Sequence, residues 1–264
     1  TGSIGVDDYT YIRTKMTSLM RLNLKEVESL NNGVYAIPSG AFSGKTLLIK
    51  CVLPDKLERI EGDAFSNTSL TGTLQLPEGV KFVSGFSGTK ITNIQFPSTL
   101  EEIGYRAFKD CKSLMCEISF PSSLKIIGEG AFYNSSIKGN LVLPEGLESL
   151  QDQAFYKCTS LTGSLKIPNN IKVIEGSTFF MCGLDGNLIL PNGLQKIEGG
   201  AFERTYLKGE LNIPSTVTFI GSTAFAETEF SGTLILPKGL ISLGSKAFYG
   251  CWRLSGIVEI PENI

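Results

Sequence analysis

The side chains best suited to chemistry in this 264-residue chain are six cysteines, one glycine-rich loop and three close acidic groupings, with no histidine anywhere. Losing histidine removes the usual general base, the commonest metal ligand and the usual activator of a nucleophile together. Catalysis would have to run through carboxylates, lysine or tyrosine. The acidic groupings are Asp7 with Asp8, Glu101 with Glu102, and Glu227 with Glu229. Carboxylate catalysis needs two acids facing one cleft at a set separation, and nothing in these spacings places them so. They read as solvated turn residues. "GAFSGKT" at 40–46 looks like a phosphate-binding loop, but its glycines enclose three residues where the pattern needs four. No strand leads straight into it and no helix follows. The chain reads as a protein without catalytic, cofactor or metal residues.

The cysteines follow a pattern of their own. Cys111, Cys158, Cys182 and Cys251 each stand three residues after a phenylalanine, where equivalent segments carry Thr68, Ser135, Thr205 and Thr228. Cys51 occupies a position that is aliphatic elsewhere. These are small slots suited to burial, and free cysteine is among the most buried residue types. Cys158 and Cys182 fall in adjacent segments, so a disulfide is the alternative, but parallel side chains suit that bond poorly. Asn67-Thr68-Ser69 and Asn134-Ser135-Ser136 fit a glycosylation acceptor pattern.

What positions all of these residues is an internal repeat, the first thing to look for in such a chain. Ten of the eleven prolines, from Pro54 to Pro261, follow one another at intervals of 20 to 24 residues. Aligned on them, the chain reads L-x-G-x-L-x-L-P-x-x-L-x-x-I-x-x-x-A-F. Leu141 and Leu143, or Leu188 and Leu190, alternate with a variable residue before the proline, the period-2 signature of a short strand with one buried face. Proline then ends the strand, because it has no amide to donate. A second apolar pair follows, such as Leu194 with Ile197, and the copy closes on Phe65, Phe86, Phe108 and their equivalents through Phe248.

One such coil cannot bury these side chains alone, whereas stacked coils can, each phenylalanine packing on those above and below. Burying each Phe or Leu contributes roughly 1.5–3 kcal/mol, and coils about 4.8 Å apart would build a rod on the order of 50 Å long. A weaker period lies on top: Val142, Ile189 and Ile235 alternate with Lys166 and Asn212, so the coils pair into units of 46 or 47 residues. The coil containing "VSGFSGTKITNIQFP" is short, which predicts a kink or tightened turn. At the start, Ile12, Met16 and Leu19 sit at helical spacing behind Asp7 and Asp8 as caps. "SLMRLNLKEV" predicts a strand of a degenerate first coil, and "VYAIPSGAF" its return side. The expected organisation is an N-terminal cap with that first coil over residues 1–34, then a solenoid over 35–264. Because the chain opens at Thr1 and closes part-way through a copy, it is expected to be a segment of a longer protein.

The motif L-x-L-P-x-x-L-x-x-I-x-x-x-A-F-x-x-C/T resembles the repeat of the BspA-like leucine-rich repeat family over roughly residues 35–264. "GF" at Gly85–Phe86 and Cys116 in place of a glycine depart from it locally. The resemblance implies an α/β-type, mostly β solenoid: a right-handed leucine-rich-repeat superhelix of about ten coils with short parallel strands. It also implies a secreted or surface-anchored bacterial protein. Members are associated with binding host matrix proteins and other bacteria, and they share no catalytic site.

Bulk properties are ordinary for a soluble globular protein. The chain is 42% hydrophobic and 19% charged, with a net charge of −2, so a nucleic-acid partner is not expected. No apolar run approaches the roughly 18 residues of a membrane span. The outward strand positions, Gln75, Gln95, Ser119, Val142, Lys166, Ile189, Asn212, Ile235 and Glu259, are the candidate surface for a protein or glycan partner. Solenoids commonly bind through a contiguous concave surface, and apolar Val142, Ile189 and Ile235 among polar neighbours would supply contact area. The expected function is an extracellular interaction or adhesion module. The alternative is a structural spacer holding another domain away from the cell surface, in which case β-branched residues merely suit a strand.

Overall fold

A computed structural model describes residues 2–31, 33–262 and 264. It is a mostly β, parallel solenoid of about 11 turns with little helix. Its spine is the phenylalanine column. Phe42, Phe65, Phe86, Phe108, Phe132, Phe155, Phe179, Phe202, Phe225 and Phe248 stack with successive ring centroids 5.0–5.8 Å apart. All but Phe248 are fully buried. Leu and Ile from both sides of each proline complete one continuous core along the rod.

Three backbone ladders join the coils. The longest follows the proline: Val34–Ile37, Arg59–Ile60, Phe82–Val83, Glu102–Ile103, Ile126–Ile127 and Ser149–Leu150 pair in parallel, and a second run covers Val173–Ile174 to Ser242–Leu243. A second ladder runs through the Ala-Phe turns, where each ladder phenylalanine N–H from Phe42 to Phe225 donates to a carbonyl of the next coil. Phe132 N–H to Ala154 O, at 2.8 Å, is typical. The third ladder, before the proline, is broken into short pieces such as Arg21–Asn23 with Lys50–Val52, Thr71–Gln75 with Lys90–Gln95, and Leu165–Lys166 with Leu188–Ile189.

The strand expected before each proline is therefore the weaker of the two strand sides. Proline withholds an amide at one end of it. At the other end a glycine with φ near +80°, as at Gly139, Gly163 and Gly209, turns the chain away from extended geometry. The post-proline strand has neither interruption.

The short coil tightens as predicted. Val83 is followed by Phe86 three residues on, where Ile103 reaches Phe108 only after five. Gly85 makes this turn at φ +83°, and a Cβ there would lie 2.5 Å from Ala64 N and 2.6 Å from Glu61 O. That is why "GF" replaces "AF". The coil also takes up a register shift between Gly72 and Thr73 against Lys90–Gln95.

The N-terminal helix runs over Val6–Lys15, with Asp8 accepting from the Gly5 N–H at 2.9 Å. It is shorter than the expected Ile12–Met16–Leu19 stripe. Ile12 is buried, but Met16 is exposed and already past the helix end. The helix buries Tyr9 instead, whose ring meets Phe42 edge-on at 5.5 Å and caps the aromatic column. Asp7 makes no capping bond among those described.

Candidate interaction surface

All nine candidate residues are exposed, while their inward neighbours, such as Leu74, Leu141, Leu188 and Leu234, are buried. Only Gln75, Gln95, Lys166 and Ile189 lie within strands; Ser119, Val142, Asn212, Ile235 and Glu259 lie in irregular segments on the same side of the coil. Direct register brings Gln75 to Gln95 and Lys166 to Ile189. Ile235 and Glu259 share the wall of an opening of about 710 Å³ between residues 234–238 and 257–262. Lys166 leans back to Glu145 at 2.6 Å, an exposed pair that contributes little to stability.

Exposure separates this side from its opposite. Val142, Ile189 and Ile235 are 64%, 53% and 72% exposed. The outward row of the post-proline ladder, across its two runs, carries Phe82, Ile126, Val173 and Phe219, and all four are half-buried against their neighbours. The Arg59 guanidinium, for example, covers the Phe82 ring at 4.1 Å. The two-residue alternation of apolar and polar coils marks both rows in the sequence, and only the packing tells them apart.

One half-buried surface feature was missed from sequence. Tyr133, Tyr156 and Phe180 form an outer stack with centroids 4.5 and 4.8 Å apart, and Lys109 Nζ lies 5.1 Å from the Tyr133 ring. Its signal is an aromatic residue directly after the ladder phenylalanine in three successive coils. Partial burial, then Tyr156, pushes the Tyr133 phenol up.

The residues singled out for chemistry serve the scaffold. All six cysteines are free thiols. The Cys111, Cys158, Cys182 and Cys251 thiols each donate to the phenylalanine carbonyl of the preceding coil, at 2.8–3.2 Å. Thr68, Thr205 and Thr228 instead donate to their own coil's phenylalanine carbonyl. The slot thus selects a small donor, which explains why Cys, Thr and Ser interchange there. Burial, reinforced by Cys158, holds the Cys182 thiol well above its ordinary range. Lys45 of "GAFSGKT" is buried and donates to Met16 O at 2.9 Å, and Phe42 is the first rung of the column. Glu227 and Glu229 pair separately with Arg204 and Arg253. Among the described residues, no group of three or more acids or cysteines is placed to hold a metal ion, and no helix is long and apolar enough to cross a membrane.

The model of the BspA type leucine-rich repeat region matches residues 9–85, 83–208 and 204–264, in six copies. The chain belongs to the BspA-type leucine-rich repeat family. Among solved structures, it resembles a leucine-rich repeat protein from Bacteroides ovatus, with 25% identity and a TM-score of 0.63. The match covers 89% of this chain and 56% of that one, so the chain spans little more than half its length. The pneumococcal vaccine antigen PcpA shares the fold, with 16% identity, a TM-score of 0.52, and coverage of 95% of this chain and 79% of that one. A comparison with curated proteins finds no match. BspA-type membership suggests a protein-interaction module, since leucine-rich repeat solenoids are typically non-enzymatic scaffolds.

Proposed function

We propose that this chain is an extracellular or cell-surface adhesion module that captures a host protein, a glycan or a neighbouring cell on its pre-proline face. The observation that carries the proposal is the exposure of Val142, Ile189 and Ile235 at two-coil intervals, with Lys166 and Asn212 between them. Apolar contacts separated by hydrogen-bonding side chains match the composition of protein interfaces. A rigid core keeps these residues in fixed relative positions, so little ordering entropy opposes capture. BspA-type membership supports display at the surface.

The test immobilises the chain and passes over it a panel of extracellular matrix proteins, mucins and bacterial glycans. Saturable, salt-tolerant binding is expected, and the Ile189→Asp/Ile235→Asp double variant should lose it with an unchanged thermal transition. Binding that survives both substitutions would remove this face from consideration. Silence across the panel would overturn the adhesion proposal and favour a spacer.

A further inference from the structure

The pre-proline side also holds a cleft of about 440 Å³ near the N-terminal end, far from Ile189 and Ile235 in sequence. Two features of the chain create it. Strand Lys50–Val52 pairs only with Arg21–Asn23, and Thr71–Gln75 only with Lys90–Gln95, so the ladder is open between them apart from one bond, Thr71 N–H to Ile49 O at 3.3 Å. Cys51 stands at the inward position that Leu74, Ile94, Leu141 and Leu188 fill in later coils. A thiol is smaller than a butyl side chain, and the space it leaves reaches down to the aromatic column at Phe65 and Phe86.

The walls are apolar and the rim is cationic. Leu53, Leu70, Leu74 and Ile91 are buried side chains facing the cleft. Arg21 and Lys50 stand at its mouth as direct register partners, both exposed. Like charges directly opposite on neighbouring strands destabilise the pair, and among the described residues no carboxylate forms an ion pair with either. No acid lines the cleft. The equivalent positions of later coils carry Thr73, Asn93, Glu117, Asn140 and Asn187, so the double cation is particular to this place. The volume lies in the range of small-molecule sites, which are mostly apolar with a few polar groups fixing orientation.

We infer that this cleft binds a small amphipathic carboxylate, of the medium-chain fatty acid class. Its head lies between the Arg21 guanidinium and the Lys50 ammonium, and its apolar tail lies against Leu74 and Ile91. The carboxylate relieves the repulsion between the two cations through charge-assisted hydrogen bonds, and the tail takes the volume that Cys51 leaves. The site is independent of the adhesion face.

Calorimetric titration of the full chain with octanoate, octan-1-ol and acetate separates these contributions. Octanoate should bind saturably at one site, at least about tenfold more tightly than either control. Arg21→Gln/Lys50→Gln should reduce octanoate to the level of the alcohol, and Cys51→Leu should abolish binding while raising the melting temperature. The stability readout shows that each variant is folded. Octanoate binding no tighter than octan-1-ol, or octanoate binding unchanged in Cys51→Leu, would overturn the inference, as would no saturable binding at millimolar octanoate.

Discussion

The phenylalanine column can be tested at its middle rung. Phe155 is fully buried, with the Phe132 ring 5.4 Å below and the Phe179 ring 5.7 Å above, tilted by only 1° and 3°. Its backbone bonds, N–H to Thr178 O and carbonyl to the Cys182 thiol, do not depend on the ring. Phe155→Ala therefore removes side-chain packing alone. Truncating a buried phenylalanine costs about 3–5 kcal/mol, including two stacked contacts of roughly 0.5–1.5 kcal/mol each. Phe248 supplies the comparison. It is half-buried and stacks on a single ring, Phe225, at 5.3 Å, so Phe248→Ala should cost about 2 kcal/mol by the same principles.

Against a total stability of roughly 5–15 kcal/mol, the difference is measurable by urea unfolding followed by circular dichroism. Because solenoid coils contact only their neighbours, hydrogen exchange should report where the damage lies. Protection should fall in the coils carrying Phe132 and Phe179 and persist in those carrying Phe42 and Phe65. Should Phe155→Ala cost no more than Phe248→Ala, ring stacking in the column would not be the main source of stability, and the backbone ladders would have to carry the coils instead.

Two further perturbations probe local features. At Gly85→Ala, the positive φ costs about 1–2 kcal/mol and the Cβ meets backbone atoms at 2.5 and 2.6 Å. The same change at Gly44, φ +73° with nothing within 4 Å, carries the first cost only. Urea unfolding should rank Gly85→Ala as the more damaging by 1 kcal/mol or more, roughly, and equal losses would show that the tightened turn can relax. Glu175 is raised by partial burial first, then by Asp152 and Glu198. Its charged form is thus disfavoured in the folded state, so Glu175→Gln should raise the melting temperature at neutral pH. The gain should shrink as pH falls through the raised value and vanish below the ordinary carboxylate range. A gain independent of pH would exclude this cause.

The legible part of this protein is what every coil repeats. Phe65 to Phe248, the mostly aliphatic pair before each proline and the small slot three residues after each phenylalanine recur often enough that stacking follows from counting. What counting could not supply was which strand side would carry the longer ladders. That depends on a competition between proline and left-handed glycines on one side and uninterrupted amides on the other. Nor could spacing separate Val142 and Ile189 from Ile126 and Val173, because both rows share the two-coil alternation and differ only in what packs beside them. The core needs sameness from coil to coil, so specificity has to be carried by departures from it. In this chain the departures are physically distinct: two residues missing before Phe86, a thiol at 51 where an aliphatic side chain belongs, two cations abreast at 21 and 50, and exposed Val142, Ile189 and Ile235 among polar neighbours. A consensus averages these away, and a rigid ladder holds each one in place.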